Sequence, residues 1–87
     1  MKIVTVYTRR NCALCRTALD VIEGVRKTHR FEVKQVDIEH DMAPDDKRRS
    51  ALAISIPVVE LDGDIVCENG VDAAALTRLL NDGATPA

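Results

Sequence analysis

Aromatic residues are scarce in this sequence, and a surplus of positive charge is missing. The 87 residues include only two aromatics, Tyr7 and Phe31, and 12 basic residues stand against 14 acidic ones, for a net charge of −2. Proteins that bind nucleic acid more often have a basic surface or aromatic side chains that stack on bases. We therefore expect no nucleic-acid partner.

Long hydrophobic runs are also missing, because no uninterrupted apolar stretch exceeds four residues. A helix that spans a bilayer needs about 20 mostly apolar residues, and a secretory signal peptide needs a long apolar segment near its start. We therefore expect no membrane partner and a cytoplasmic location. At this length we expect a single domain over residues 1–87, acting as a monomer.

Cysteine is scarce, and its three occurrences are Cys12, Cys15 and Cys67. Three is an odd number and too few for a disulfide-stabilised scaffold. Cysteines in a reducing compartment are usually buried, bound to metal or catalytic. Cys67 alternates along a predicted strand and fits a buried position, whereas the close spacing of Cys12 and Cys15 indicates a candidate site.

Positive charge is concentrated at the start of the chain. Residues 1–19 contain four basic residues and no Asp or Glu, a net of +4, so the rest of the chain must carry −6. The cysteine pair lies inside this basic segment. Its surroundings therefore favour a negatively charged sulfur.

The first half of the sequence predicts a strand, a helix and a second strand. Residues 2–8 and 31–38 are rich in β-branched side chains with partial alternation, which is typical of strands. Between them, apolar residues at helical spacing predict a helix over 12–27, with Asn11 as its N-cap. This unit predicts two parallel strands joined by a right-handed crossover.

The second half predicts a short helix, a hairpin and a final helix. The expected elements are a helix over 44–53, strands over 58–61 and 64–68, and a helix over 71–80. Pro44 can occupy the first turn of a helix, Asp62-Gly63 is a strong hairpin signal, and Asn69-Gly70 forms the next turn.

The element order β-α-β-α-β-β-α predicts an α/β fold. A four-stranded mixed sheet with helices on both faces is the simplest arrangement that buries every apolar stripe. Residues 81–87 follow the last predicted helix and are expected to form a frayed tail.

The spacing Cys12-x-x-Cys15 at the start of a predicted helix favours thiol chemistry. Unpaired backbone N–H groups and the positive end of the helix dipole stabilise a thiolate at the first cysteine. Arg16 lies one helical turn from Cys12, and Arg9 and Arg10 precede it. Cys15 lies one turn deeper. We predict Cys12 as the nucleophile and Cys15 as the resolving thiol.

Pro57 opens the predicted strand 58–61, where its missing N–H group is tolerated. A cis peptide bond before it is compatible with this position. The sequence predicts that Pro57 presents backbone next to the Cys12 thiol, where an extended peptide or thiol substrate can pair with it.

Three segments together resemble a known superfamily. These are TRRNCALC at 8–15, IPVV at 56–59 and NGVD at 69–72. They are similar to the thioredoxin fold, and in particular to glutaredoxins and small glutaredoxin-like proteins, over roughly residues 3–80. The resemblance implies a thioredoxin-like fold, thiol–disulfide exchange with Cys12 attacking and Cys15 resolving, Pro57 in cis, and no bound cofactor.

The resemblance also implies a substrate site. In the family, a basic residue at the place of Arg9 contacts a carboxylate of glutathione, the residues that flank the cis-proline pair with its backbone, and the later glycine turn holds its other end. The candidate substrate-binding residues are therefore Arg9, Arg10, Ile56, Pro57, Val58, Gly70, Val71 and Asp72. Glutaredoxins commonly have Pro-Tyr where this chain has Ala13-Leu14, and Gly-Gly where it has Asn69-Gly70.

These departures leave two kinds of substrate open, a disulfide-containing protein or a glutathione mixed disulfide. Glutathione or a separate reductase would return electrons to the cysteines. The alternative functions are a metal or iron–sulfur cluster carrier and a non-catalytic adaptor. Zinc normally needs four ligands, and only Cys67, His29 and His40 could complete such a set, so we expect no metal ligands.

Overall fold

The computed structural model describes residues 1–82. Its elements, in chain order, are β1 (Ile3–Thr8), α1 (Ala13–Arg26), β2 (Glu32–Asp37), α2 (Arg48–Ala53), β3 (Val58–Leu61), β4 (Asp64–Cys67) and α3 (Ala73–Asp82). The predicted element order is confirmed. Because α3 continues through Asp82, the first two residues of the expected tail 81–87 are helical, and the others lie outside the described residues.

The four strands form one mixed sheet in the order β2-β1-β3-β4. β1 pairs with β2 in parallel, with Thr8 opposite Asp37. It pairs with β3 in the antiparallel sense, with Tyr7 opposite Val58, and the Asp62-Gly63 turn joins β3 to antiparallel β4. The carboxyl end of β1 and the amino end of β3 therefore meet at one edge of the sheet.

Helices cover both faces of the sheet, as predicted. Val6 of β1 is fully buried in one apolar cluster with Ile22 of α1 and Leu76 of α3. The next residue, Tyr7, is buried in a second cluster with Leu52 of α2. Since successive side chains of a strand point to opposite faces, α1 and α3 lie on one side and α2 on the other. No helix among residues 1–82 combines the length and hydrophobicity that crossing a bilayer requires.

The start of α1 differs from the prediction at one residue. Asn11 is not the N-cap, because its φ of 57° places it in the left-handed turn before the helix. Cys12 is the N-cap, with extended backbone at φ −113° and ψ 106°, and its Sγ accepts the backbone N–H of Cys15. Cys12, which was predicted as the first residue of the helix, is therefore its N-cap instead.

The other two helices start later than predicted. Pro44 stays outside α2 because the Asp46 N–H donates to the Ala43 carbonyl at 3.0 Å in a preceding turn, and the Asp46 carboxylate accepts the Arg48 N–H at 2.9 Å. At α3, Asp72 Oδ1 accepts two backbone N–H groups of the first turn, at 3.0 and 3.2 Å. Asp72 thus caps α3 from outside it.

Candidate active site

The structure brings the cysteine pair and the Pro57 segment together at one edge of the sheet. β1 ends at Thr8, just before the loop that carries Cys12. Because Tyr7 pairs with Val58, the residues before β3 lie level with this loop. The Ile56–Pro57 peptide bond is cis, as the resemblance implied. Cys12 packs against the apolar cluster that contains Ile56 and Val58.

Cys12 is held in contact with the first backbone N–H groups of α1. Its Sγ lies 3.2 Å from the Cys15 nitrogen, which donates to it, and no acidic residue occupies the first turn. Burial raises the pKa of the Cys12 thiol, but hydrogen bonds from the Cys15 thiol and backbone, the charge of Arg9 and the Leu14 N–H outweigh it. The pKa of Cys12 is therefore lower than that of an ordinary cysteine.

Cys15 has the opposite environment. Its side chain is only 3% exposed and belongs to the cluster on the α2 face of the sheet. Burial, followed by its hydrogen bond to Cys12, raises the pKa of the Cys15 thiol to about 11, although a hydrogen bond from the Arg9 backbone works against the shift. At neutral pH the inner sulfur therefore keeps its proton, and the half-buried outer sulfur is the one that ionises more easily.

A cavity of about 160 Å³ opens beside the two sulfurs. Its lining consists of Thr8, Arg9, Asn11, Cys12, Cys15, Arg16, Leu19 and Gln35. The lining includes two arginines and no carboxylate. A thiolate in this cavity thus has positive neighbours and no negative side chain to oppose it.

Thr8 and Gln35 are site residues that the sequence analysis missed. The buried Thr8 hydroxyl donates to the Val36 carbonyl at 3.5 Å. The Gln35 side-chain amide in turn donates to the Thr8 hydroxyl at 3.4 Å. A polar residue at the buried end of β1, next to the cysteine loop, was a usable signal for Thr8. Gln35 had none, because only the parallel pairing of β1 with β2 places it there.

The two arginines before Cys12 act on different neighbours. The charge of Arg9 lowers the pKa of Cys12. Arg10 acts on Asp37 at the end of β2, whose pKa is lowered first by the Glu39 N–H and, to a smaller extent, by the Arg10 charge. Both arginine side chains are exposed. Of the two, Arg9 is therefore the one that contributes to the thiolate site.

The turn at residues 69–70 is attached to the Pro57 segment. The Gly70 N–H donates to the Pro57 carbonyl at 3.2 Å, and the Asn69 N–H donates to the Ser55 carbonyl at 2.8 Å. Gly70 has a φ of 149°, a conformation that glycine adopts without a Cβ penalty. The predicted site residue Gly70 thus lies beside Pro57.

Other predicted substrate-binding residues have structural contacts of their own. The Val71 side chain packs against the apolar cluster between the sheet and helices α1 and α3, called here the α1–α3 core. The Asp72 carboxylate caps α3. The Ile56 N–H already donates to the Leu52 carbonyl at 2.9 Å. The Ile56 N–H group is therefore already paired within the chain.

The described part of the chain contains no set of side chains that could bind zinc. Within residues 1–82, no three His, Cys, Asp or Glu side chains come close enough to hold a metal ion. Cys67 lies on β4 opposite Val59 and packs against the α1–α3 core. The His29 ring contacts Thr28 and Asn81 at 2.8 and 2.7 Å.

The alkylation rate of Cys12 should depend on pH with a midpoint below that of free cysteine. Iodoacetamide reacts with the thiolate, so the rate rises as Cys12 loses its proton and levels off above its lowered pKa. Mass spectrometry of quenched samples would follow the modification of Cys12 specifically. In denaturant, where the helix end no longer exists, the midpoint should return to that of free cysteine. Equal midpoints in the two conditions would contradict the assignment.

Comparison with solved structures identifies the fold. The protein XcR50 from X. campestris is 28% identical, with 94% of this chain and 99% of that chain covered and a TM-score of 0.67. A protein of unknown function from Staphylococcus aureus, SA0789, is 18% identical over 93% of this chain and 89% of its own, with a TM-score of 0.68. A mutant thioredoxin from Halobacterium salinarum is 22% identical over 93% of this chain and 73% of its own, with a TM-score of 0.66. The likeness to the thioredoxin shows the thioredoxin fold alone, and the likeness to SA0789 shows a shared fold alone.

No curated protein matches the chain. The model of the glutaredoxin-like domain family, DUF836, matches residues 3–81. This range contains all seven helices and strands except the last residue of α3, together with Cys12, Cys15 and Pro57. The chain therefore belongs to the glutaredoxin-like domain family of the thioredoxin superfamily.

Proposed function

We propose that the protein is a thiol–disulfide oxidoreductase that reduces disulfides or mixed disulfides through Cys12 and Cys15. The observation that carries the proposal is the asymmetry of the two thiols. Cys12 is half-buried and accepts a backbone N–H at 3.2 Å, which stabilises its thiolate. Cys15 is buried, and its pKa is raised to about 11, which keeps it protonated until it is needed.

In the first step, the Cys12 thiolate attacks one sulfur of the substrate disulfide. A bond forms between Cys12 Sγ and that sulfur, the substrate S–S bond breaks, and the other substrate sulfur leaves as a thiolate that takes up a proton. A substrate backbone aligned along the Ile56 carbonyl and the Pro57 segment would hold the disulfide next to Cys12. The geometry supports this placement because Cys12 packs against the cluster that contains Ile56.

In the second step, Cys15 loses its proton and attacks Cys12 Sγ. The Cys12–Cys15 disulfide forms, the mixed disulfide breaks, and the second substrate sulfur is released as a thiolate. Two electrons have then passed from the cysteine pair to the substrate. Formation of the mixed disulfide removes the Cys12 charge, and with it one cause of the high pKa of Cys15, so deprotonation becomes easier at this stage.

We also propose a substrate, an electron donor and a cellular location for the reaction. The substrate is a disulfide-containing protein or a glutathione mixed disulfide, and glutathione or a reductase returns two electrons to the oxidised pair. A reducing cytoplasm supplies such donors, so we place the protein there, working as a monomer without a resident cofactor.

A stoichiometric reaction tests the proposed function. Reduced, freshly purified protein mixed with an equimolar disulfide-linked peptide dimer should yield two peptide thiols and a protein two hydrogens lighter. Peptide mapping should place the new disulfide between Cys12 and Cys15. The iron content and the visible spectrum of the same sample distinguish the carrier function. A coloured, iron-containing protein that leaves the dimer intact would overturn the proposal.

A further inference from the structure

The surface around Cys12 carries unpaired positive charge. Arg9 and Arg16 line the cavity at the two sulfurs, and both side chains are exposed. Neither forms an ion pair within residues 1–82, where the two ion pairs lie elsewhere. Asp20 lies one turn along α1 from Arg16, but the two side chains do not form an ion pair in the described part of the chain.

A second cavity extends this positive surface toward α2. It has a volume of about 310 Å³ and also has Arg9 in its lining, together with Arg49 and Glu39. The Arg49 Nε donates to the Ile38 carbonyl at 2.9 Å, which fixes its guanidinium near this cavity. Across the two cavities, three arginines face one carboxylate, so the charge balance remains positive.

Two large apolar side chains that are close in sequence to this surface are exposed. Leu14, between the two cysteines, is 59% exposed, and Ile54, two residues before Ile56, is 84% exposed. Single exposed apolar residues are common on proteins. These two, however, are next in the chain to Cys15 and Ala53, which line the two cavities, so a partner bound over the cavities would lie close to them.

We propose that this surface docks a protein segment in which acidic residues flank the disulfide cysteine and an apolar residue lies beside it. The inference rests on the proposed exchange reaction and names its substrate class. Carboxylates of the segment pair with Arg9 and Arg16 in charge-assisted hydrogen bonds, and its apolar residue covers Leu14 or Ile54. A glutathionyl group has carboxylates but no large apolar side chain, so it would leave both of these residues exposed.

Matched peptide disulfides test the substrate class. Three peptides of equal length, with one cysteine and one leucine flanked by acidic, neutral or basic residues, are prepared as disulfide-linked dimers. Their second-order rate constants with reduced protein are measured in single turnover. The acidic dimer should react about tenfold faster than the basic dimer at low ionic strength. The difference should shrink as salt screens the charges.

A pair of charge-reversal variants locates the surface. Arg16→Glu should lower the ratio of acidic to neutral rate constants by about three- to tenfold. Arg30→Glu is the matched control, because it makes the same change in net charge in the loop before β2. Since β1 and β2 are parallel, that loop lies at the opposite end of the sheet from Cys12. The control should keep the wild-type ratio.

The outcomes separate this inference from the proposed function. If no dimer reacts, the exchange function itself fails. If all three dimers react at equal rates, or if Arg30→Glu lowers the ratio as much as Arg16→Glu does, the acidic-segment inference fails while the exchange function stands. A neutral peptide in a mixed disulfide with glutathione is the last arm. If it reacts faster than the acidic dimer, glutathione is the occupant and the inference is wrong.

Discussion

Replacing Cys12 with serine should reduce disulfide exchange by about a thousandfold or more, since the sulfur that we propose as the nucleophile is removed. Cys15 is unable to substitute for it. A thiol with a pKa of about 11 is ionised in only about one molecule in ten thousand at pH 7, and this sulfur is buried. The measurement is the release of peptide thiol from a disulfide-linked dimer by the pre-reduced variant.

Loss of folding is not expected to explain this result. Serine is a favoured N-cap residue, so Cys12→Ser retains a side-chain acceptor for the Cys15 N–H that the thiol accepts in the wild-type chain. Circular dichroism and urea unfolding would verify the fold. Cys67→Ser is the matched control, because it removes a thiol on β4 that packs against the α1–α3 core, and it should keep the wild-type rate. Full activity in Cys12→Ser would require the roles of the cysteines to be reassigned.

Replacing Cys15 with serine should convert the short-lived mixed disulfide into a stable product. Cys12 still attacks the substrate, but the internal thiol that would release it is missing, so the adduct should persist at least about a hundredfold longer. Intact mass measurement would show one peptide bound per protein, attached at Cys12 and released by dithiothreitol. Excess glutathione should attack the adduct from outside and restore turnover through a single thiol.

Cys15→Ala should in addition make Cys12 less reactive in the attacking step. The Cys15 thiol donates the hydrogen bond that does most to lower the pKa of Cys12, so this pKa should rise when alanine removes the donor, whereas the serine hydroxyl of Cys15→Ser retains one. The double variant Cys12→Ser/Cys15→Ser is the control and should form no adduct. An adduct in the double variant, or rapid spontaneous release from the single variant, would contradict the assignment of Cys15 as the resolving thiol.

The order of the elements could be predicted because each one buries a regular stripe of apolar residues. The β1–α1–β2 unit has the spacing of a parallel crossover, and the Asp62-Gly63 turn specifies the hairpin. The starts of the helices were harder to predict, since capping depends on single hydrogen bonds. Asp46 and Asp72 accept N–H groups from the helices that follow them, and the same residue types also favour ordinary turns.

The cysteine pair and Pro57 could be found because their chemistry is local in the sequence. The roles of Arg9 and Arg10 could not be separated, because adjacent residues in a loop have no periodicity from which their directions follow. In the structure, the charge of Arg9 lowers the pKa of Cys12, whereas the charge of Arg10 lowers the pKa of Asp37. Gln35 enters the site only through strand pairing, which connects residues 27 positions apart.

The position of Cys12 as the N-cap of α1 links catalysis to helix stability. In the reduced protein, Cys12 Sγ accepts the Cys15 N–H, and ionisation of this sulfur strengthens the cap because a negative charge at this end of a helix is stabilising. Oxidation to the Cys12–Cys15 disulfide neutralises that sulfur and weakens the cap. Under the proposed exchange function, each turnover therefore alternates this helix cap between a stronger form in the reduced protein and a weaker form in the disulfide.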